Sequence, residues 1–266
     1  MTENLVFLKL GGSLITDKRK EATPHPAAIR RLAAELREAL DAKPDLKVLL
    51  GHGSGSFGHW EASQYGTRQG VETPDQWGGF ARVSAAASRL NRIVVDAFLE
   101  AGVPVLSLQP SASALANAGT IVALNEDGIR RALDHDLVPL VFGDVAFDRA
   151  WGGTILSTED LFVHLAEVLH PERVLLLGNA SGVMGSRNRV IRLITPENYP
   201  QVEAHLRGAA GADVTGGMAD KVKQMVNLVQ RVPGLQVWIF TGREHGNLKR
   251  ALLEPENTPG TRISET

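Results

Sequence analysis

Leu50-Gly51-His52-Gly53-Ser54-Gly55-Ser56-Phe57-Gly58-His59 follows a short apolar run, Leu46 to Leu50, that reads as a buried strand. Four glycines within eight residues demand a tight turn and let the backbone approach a neighbour that side chains would hold off. Peptide N–H groups exposed in such a turn form a concave anion site, and the N-terminus of a following helix adds to it. His59, at the end of the run, is placed to give the same anion a charge-assisted hydrogen bond. The stretch is therefore read as a phosphate-holding loop at the carboxyl end of a strand, where open α/β sheets carry their ligands.

Other readings of the stretch explain less. Gly53-x-Gly55-x-x-Gly58 has the spacing of a dinucleotide-binding fingerprint, but that fingerprint follows the first strand and has an acid ending the next strand about twenty residues on. Here it follows the second strand, and the nearest acids, Glu72 and Asp75, lie in a polar Thr/Pro/Gln stretch. No Gly-Lys-Ser or Gly-Lys-Thr triplet occurs, which excludes a Walker-type loop. A purely structural glycine turn remains the alternative.

Outward from this loop, apolar strands alternate with amphipathic helices. Leu5-Val6-Phe7-Leu8 has the pattern of a strand buried on both faces and runs into Lys9-Leu10-Gly11-Gly12-Ser13. A helix is expected from Pro26, with Ile29, Leu32, Ala33, Leu36 and Leu40 on one face. Trp60 to Gly79 reads as an irregular polar segment, long for a connection, that forms part of a substrate wall or lid. Phe80 to Glu100 is a strong amphipathic helix. Val103–Leu108, Leu137–Phe142, Arg173–Leu177 and Leu235–Thr241 complete the strands, with a hairpin over Ala146 to Ile155. Pro139 must sit where no ladder donor is needed. Helices are expected over Leu161–Leu169 and Met218–Val232, with Gly208–Gly217 flexible between them. The fold class is α/β, a single domain over residues 1–266 around a mostly parallel sheet.

The 266 residues suffice for one large domain or two lobes sharing a sheet. A formal net charge of −2 gives no global field for nucleic acid or anionic membrane, so any anion site is local. The chain has no cysteine, which rules out disulfides and thiolate metal sites and permits a reducing cytosol. No apolar run reaches membrane-spanning length. The first residues carry no basic stretch ahead of an apolar one, so no signal peptide is expected and the chain is placed in the cytoplasm.

Three anion-holding elements emerge: the Gly11-Gly12-Ser13 turn with Lys9 and Lys18, the Gly53–His59 loop, and Thr215-Gly216-Gly217 with Lys221. A cation in the first turn of a helix opposes the helix dipole, so Lys221 is better placed beside a bound anion. More than one phosphate-bearing ligand is implied, the arrangement phosphoryl transfer needs. Glu159 or Asp160 is placed to orient the lysines or to meet Mg²⁺. The competing reading makes Ser157 or Thr158 an N-cap with acids in the first turn.

Lys9-Leu10-Gly11-Gly12-Ser13, the glycine loop, Asp213-x-Thr215-Gly216-Gly217-Met218-x-x-Lys221 and Gly260-Thr261-x-Ile263 together resemble the amino acid kinase superfamily. Within it, Gly53-Ser54-Gly55-Ser56-Phe57-Gly58-His59 with Ile15-Thr16-Asp17-Lys18 is most similar to the isopentenyl phosphate kinases. The resemblance implies an open αβα sandwich, an acceptor lobe over residues 1–170 and a nucleotide lobe over 171–266. It implies transfer of the ATP γ-phosphoryl, with Mg²⁺, to isopentenyl phosphate by a homodimer. Lys9 and Lys18 would stabilise the moving phosphoryl, and Lys221 would hold ATP. Gly53, Ser54, Gly58 and His59 would hold the acceptor. Gly11, Gly12, Ser13, Gly55, Gly178, Gly216 and Gly217 would hold the nucleotide, with no metal held by the protein itself. Ser157-Thr158-Glu159-Asp160 stands where relatives carry Ser-Gly-Asp-Asp, leaving both acids as candidates, and Asn179 stands where aspartate is common. An isoprenoid tail further requires an apolar tunnel, expected from the Phe80 helix and the Leu106 region.

Overall fold

The structure is a computed structural model that describes residues 4–186, 189–209 and 217–266; the side chains of His59 and Ala209 also lie outside the description. The first half of the chain runs β1 (Leu5–Leu10), α1 (Gly12–Ile15), α2 (Pro26–Ala42), β2 (Lys47–His52), α3 (Gly55–Tyr65), α4 (Pro74–Glu100), β3 (Val105–Ser107), α5 (Pro110–Ser113), β4 (Ala114–Asn117), β5 (Thr120–Leu124) and α6 (Asp127–Asp134). The second half runs β6 (Val138–Phe142), β7 (Asp144–Asp148), β8 (Gly152–Leu156), α7 (Thr158–Leu169), β9 (Arg173–Gly178), β10 (Leu193–Ile194), α8 (Tyr199–Ala209), α9 (Gly217–Arg231), β11 (Gln236–Thr241), α10 (Asn247–Leu253) and β12 (Thr261–Ile263). Eight strands form one sheet in the order β10-β12-β11-β9-β1-β2-β6-β3. Every pair in it is parallel except β11 with β12, which is antiparallel. A smaller sheet, β5-β4-β7-β8, stands beside it.

Alternation along each strand divides the core. Val6, Leu8 and Leu10 of β1 pack under α2, α4 and α10, whereas Leu5 and Phe7 face α7 and α9. Side chains of successive strand residues leave on opposite faces, so both faces of the sheet are covered and the layers are αβα. Lys9 shares its face with Leu5 and Phe7 by the same count, toward α7 and α9. Pro139 fits for a related reason. Val138 and Leu140 bond toward the β3 side, and the β2 ladder starts only at Leu140, so Pro139 sits outside the paired stretch with β2.

One local expectation is corrected. Gly55–Tyr65 is helical and α4 starts at Pro74, so the irregular connection shrinks to the residues between them. Gly79 makes that helix pair possible, because a Cβ there would lie 2.2 Å from the Tyr65 ring. Thr73 and Gln76 form a capping box at the start of α4. The apolar face of α4, including Phe80, Leu90 and Phe98, is buried in the core of its own chain. Leu106 is exposed on β3, while Ser107 and Leu108 next to it line a cavity with Pro110, Leu124, Ile129 and Val141. Leu193–Ile194 pairs with β12, and Val190 makes an isolated bridge with Met184. The part of Gly208–Gly217 read as flexible lies outside the described residues from 210 to 216.

Two buried charges clamp α10. Glu35 is 1% exposed; its carboxylate accepts the Leu248 and Lys249 amides at 3.1 and 3.3 Å and the Arg31 guanidinium at 2.6 Å. Arg173 donates to the Ala251 and Leu252 carbonyls at the other end. An acid at the N-terminus and a cation at the C-terminus both complement the helix dipole.

Candidate active site

The two glycine turns predicted as separate anion sites touch each other. A Cβ on Gly12 would lie 2.7 Å from Gly55, which itself holds φ +51°. A side chain on Gly12 would strike the Gly55 backbone; one on Gly55 would leave a left-handed backbone and strike the Thr16 side chain at 2.2 Å, so both positions are held as glycine. Thr16 fastens the contact: its hydroxyl donates to the Gly12 carbonyl at 2.7 Å and accepts the Ser56 amide at 2.9 Å.

The amides of this junction fall into two groups. Gly11 donates to Leu177 O at 2.7 Å, Gly53 to Leu10 O at 3.1 Å and Gly58 to Ser54 O at 3.2 Å, so these three are engaged within the chain. The Gly12, Ser13, Ser54 and Gly55 amides have no protein acceptor among the described residues. They open α1 and α3, where first-turn N–H groups lack intrahelical partners. These four amides are therefore the ones open to an outside acceptor, whereas those of Gly11, Gly53 and Gly58 are taken. Gly178 ends β9 with open space where a side chain would stand.

Helix α7 brings the acids to the lysines. Gly51 leaves room for it: a Cβ there would meet Thr158 at 2.6 Å and the Phe162 ring at 2.8 Å. The Thr158 hydroxyl also donates to His52 O at 2.6 Å, tying the start of α7 to the end of β2. The two acids that follow then part company. Glu159 pairs with Lys9 in a close contact and with Lys221 at 3.3 Å, from α9. Asp160 closes a capping box, accepting the Ser157 amide at 2.8 Å while the Ser157 hydroxyl accepts the Asp160 amide at 3.1 Å. Its other oxygen accepts Gln224 of α9 at 2.9 Å. Glu159 thus bridges two lysines and Asp160 starts the helix.

Burial and charge act against each other at the bridge. For Glu159, burial alone would raise the carboxyl, but the Lys9 and Lys221 ammonium groups outweigh it and hold it down at about 2. For Lys9, burial lowers the ammonium from its ordinary value while Glu159 opposes the shift. Behind the glycine loop, His52 is fully buried, stacked on Phe142 and in contact with Asn91 Oδ1 at 3.2 Å; burial pushes it down to about 4, leaving a neutral packing residue.

Lys18 makes no ion pair with Glu159. It lines a cleft on the α2 face that meets the first glycine turn at Ser13. His59 lies in α3, its side chain outside the description, and Gly216 lies outside the described residues altogether. Gly217 opens α9 and is exposed. Sequence reasoning passes over Gln224, Thr16 and Arg243. Gln224 carries no pattern of its own, and Thr16 is quoted only as part of Ile15-Thr16-Asp17-Lys18. Arg243 does carry one, since Gly242-Arg243 follows strand β11 as the other glycine turns follow theirs.

Among the described residues no three His, Cys, Asp or Glu side chains gather to hold a metal ion. Glu159 and Asp160 are already engaged by lysines and by the helix cap.

An open αβα sheet with glycine turns and bridged lysines at the carboxyl ends of its strands defines a phosphoryl-transferring class, and residues 4–241 match the amino acid kinase family, to which this chain belongs. Within it the chain is 34% identical to an isopentenyl phosphate kinase of Methanothermobacter thermautotrophicus, over 98% of this chain and 99% of that one. An isopentenyl phosphate kinase of Methanocaldococcus jannaschii is 30% identical over 96% and 97%. A crystal structure of an isopentenyl phosphate kinase superposes with a TM-score of 0.83 at 31% identity, covering 98% of this chain and all of that one. The particular family is therefore that of the isopentenyl phosphate kinases.

Proposed function

We propose that this chain is a kinase that moves the γ-phosphoryl of ATP to isopentenyl phosphate, giving isopentenyl diphosphate and ADP. One observation carries the reading: Glu159 holds Lys9 and Lys221, cations from two distant parts of the chain, beside two glycine turns in contact. The family relationship supports the choice of acceptor.

The residues act as follows. ATP supplies the phosphoryl group and the driving force. Lys9 and Lys221, aligned by Glu159, neutralise charge on the moving phosphoryl and on the donor chain, the main work of catalysis when positions are preset. The Gly12 and Ser13 amides receive donor phosphate oxygens, and the Ser54 and Gly55 amides with His59 receive the acceptor's phosphate. Lys18 reaches the transferred group from the Ser13 side. A phosphomonoester acceptor is already an oxyanion, so no group is assigned as general base. Magnesium is proposed to arrive on the nucleotide's phosphates, its usual mode of binding, and no step is drawn through a protein-held ion. The acceptor lies in residues 1–170 and the nucleotide in 171–266 in this reading. The Val71, Phe80, Val83 and Val145 cluster, with Trp77 beside it, offers the apolar surface for the tail.

A homodimer and a cytoplasmic site of action complete the proposal. No helix among the described residues is long and apolar enough to cross a membrane. The test is a coupled assay with Mg-ATP against isopentenyl phosphate, dimethylallyl phosphate and fosfomycin. Preferred turnover of isopentenyl phosphate is expected. Preferred turnover of fosfomycin, or ATP binding without turnover of any acceptor, would overturn the reading.

A further inference from the structure

Thr67–Gln69 forms a single tight turn between α3 and α4, and Arg68 stands on it. The backbone there is sewn to the β7–β8 hairpin. The buried Thr154 hydroxyl donates to the Arg68 carbonyl at 3.1 Å, and the Val71 amide donates to Trp151 O at 2.8 Å. Gly152, at φ +73°, lets the two chains close up, because a Cβ there would lie 2.3 Å from Val71 O. Arg68 therefore springs from an anchored main chain, while its side chain is 63% exposed.

Its guanidinium reaches the first turn of α7 and finds no hydrogen-bond partner. Nη2 lies 3.8 Å from Asp160 Oδ2, beyond hydrogen-bond reach, and the side chain has no other partner among the described residues. Asp160 is already engaged: Oδ2 accepts the Ser157 amide and hydroxyl at 2.8 and 2.7 Å, and Oδ1 accepts Gln224 at 2.9 Å. Three cations, Lys9, Lys221 and Arg68, thus face two carboxylates, Glu159 and Asp160. The surplus charge stands at the positive end of the α7 dipole, where a cation is unfavourable without an anion beside it. An exposed pair at this distance contributes little to stability, so folding does not account for the placement.

The neighbours of Arg68 say which ligand brings the anion. Three residues on, Val71 joins Phe80, Val83 and Val145 in the apolar cluster. On the other side, α3 leads back from Tyr65 to Gly55, which touches the first glycine turn. An acceptor with its tail on that cluster and its head toward the Glu159 bridge passes Arg68 where tail meets head.

We propose that Arg68 is a further acceptor-binding residue: its guanidinium donates to the oxygens of the acceptor's phosphate on the tail side of the lysine bridge. The planar fork suits two oxygens of one phosphate. This rests on the kinase reading and adds to it a residue which that reading leaves unassigned. Steady-state kinetics with Mg-ATP and isopentenyl phosphate compare the full chain with R68Q, R68K, D160N and R68Q/D160N, and melting temperatures check folding. R68Q should raise the acceptor KM about tenfold, the loss of one charge-assisted contact, with the KM for ATP and the melting temperature unchanged. R68K should recover part of the loss, since it returns the charge without the fork. The same tenfold effect should appear in the D160N background. An unchanged acceptor KM in folded R68Q overturns the proposal. So does an effect that disappears once Asp160 is neutralised, which would make Arg68 a partner of the helix cap alone. The kinase reading fails separately. A wild type that prefers fosfomycin moves the R68Q comparison to that acceptor under the same criteria, whereas turnover of neither acceptor discards the reading and this role together.

Discussion

Glu159 and Asp160 are neighbours with similar chemistry and different work, and single substitutions should separate them. Glu159→Gln leaves Lys9 and Lys221 without their shared anion, so kcat should fall by about 10²–10³, the scale for loss of a preorganised electrostatic group. The sign with pH follows from the lowered carboxyl. A group depressed to about 2 in the folded state contributes stability that is complete above its unfolded value near 4.5 and is lost as pH falls toward 2. Acid denaturation of the wild type should therefore show a loss across that window that E159Q lacks; matching acid profiles would contradict the bridge. His59→Ala should cut turnover far more than it lowers the melting temperature, and unchanged turnover would remove His59 from the acceptor site. The acid pair shows a limit of reading residues in a line. Both fit a helix first turn, and only the tilt of α7 over Gly51 decides which reaches Lys9. Lys9 was legible because a cation interrupting an apolar strand must meet a partner on the covered face.

Helices carry the next set of consequences. Asp160→Ala removes a reciprocal cap and the Gln224 contact, and about 1 kcal/mol of stability should go with it. Denaturant unfolding measures this, and turnover should fall less than in E159Q. Gly51→Ala places a methyl group against Thr158 and Phe162, so α7 must shift; a loss of about 1–3 kcal/mol is expected together with reduced turnover. Full activity in that variant would show that the seat of α7 on β2 does not govern the lysine bridge. Sequence periodicity located α4, α7 and α9 because each buries a continuous apolar stripe. It missed α3, which is rich in glycine and carries no such stripe. That helix exists because Gly79 lets Tyr65 settle onto α4, a contact between residues fourteen apart that no local pattern announces.

At the scale of the molecule, the proposed lobes meet inside one sheet. The boundary near residue 170 falls between β1 and β9, which are hydrogen-bonded neighbours from Val6↔Arg173 to Leu10↔Leu177. Neither lobe can present a finished sheet edge alone, so heat should unfold the chain in a single transition, and Mg-ADP should raise it as one. Two resolved transitions, with only the later one moved by ADP, would show that the lobes are independent. The αβα layering was readable from alternating apolar strands and helices. The meeting of loops from residues 12, 55, 159 and 221 was not, because sheet order, not chain order, sets those distances.

The bare contact of Gly12 with Gly55 carries one more consequence. Two main chains pressed together and pinned by the Thr16 hydroxyl leave no slack for a hinge at that point. Saturation mutagenesis at both positions, selected for any new acceptor, should return the wild-type codon family each time, so engineering of acceptor range must work around an invariant seam.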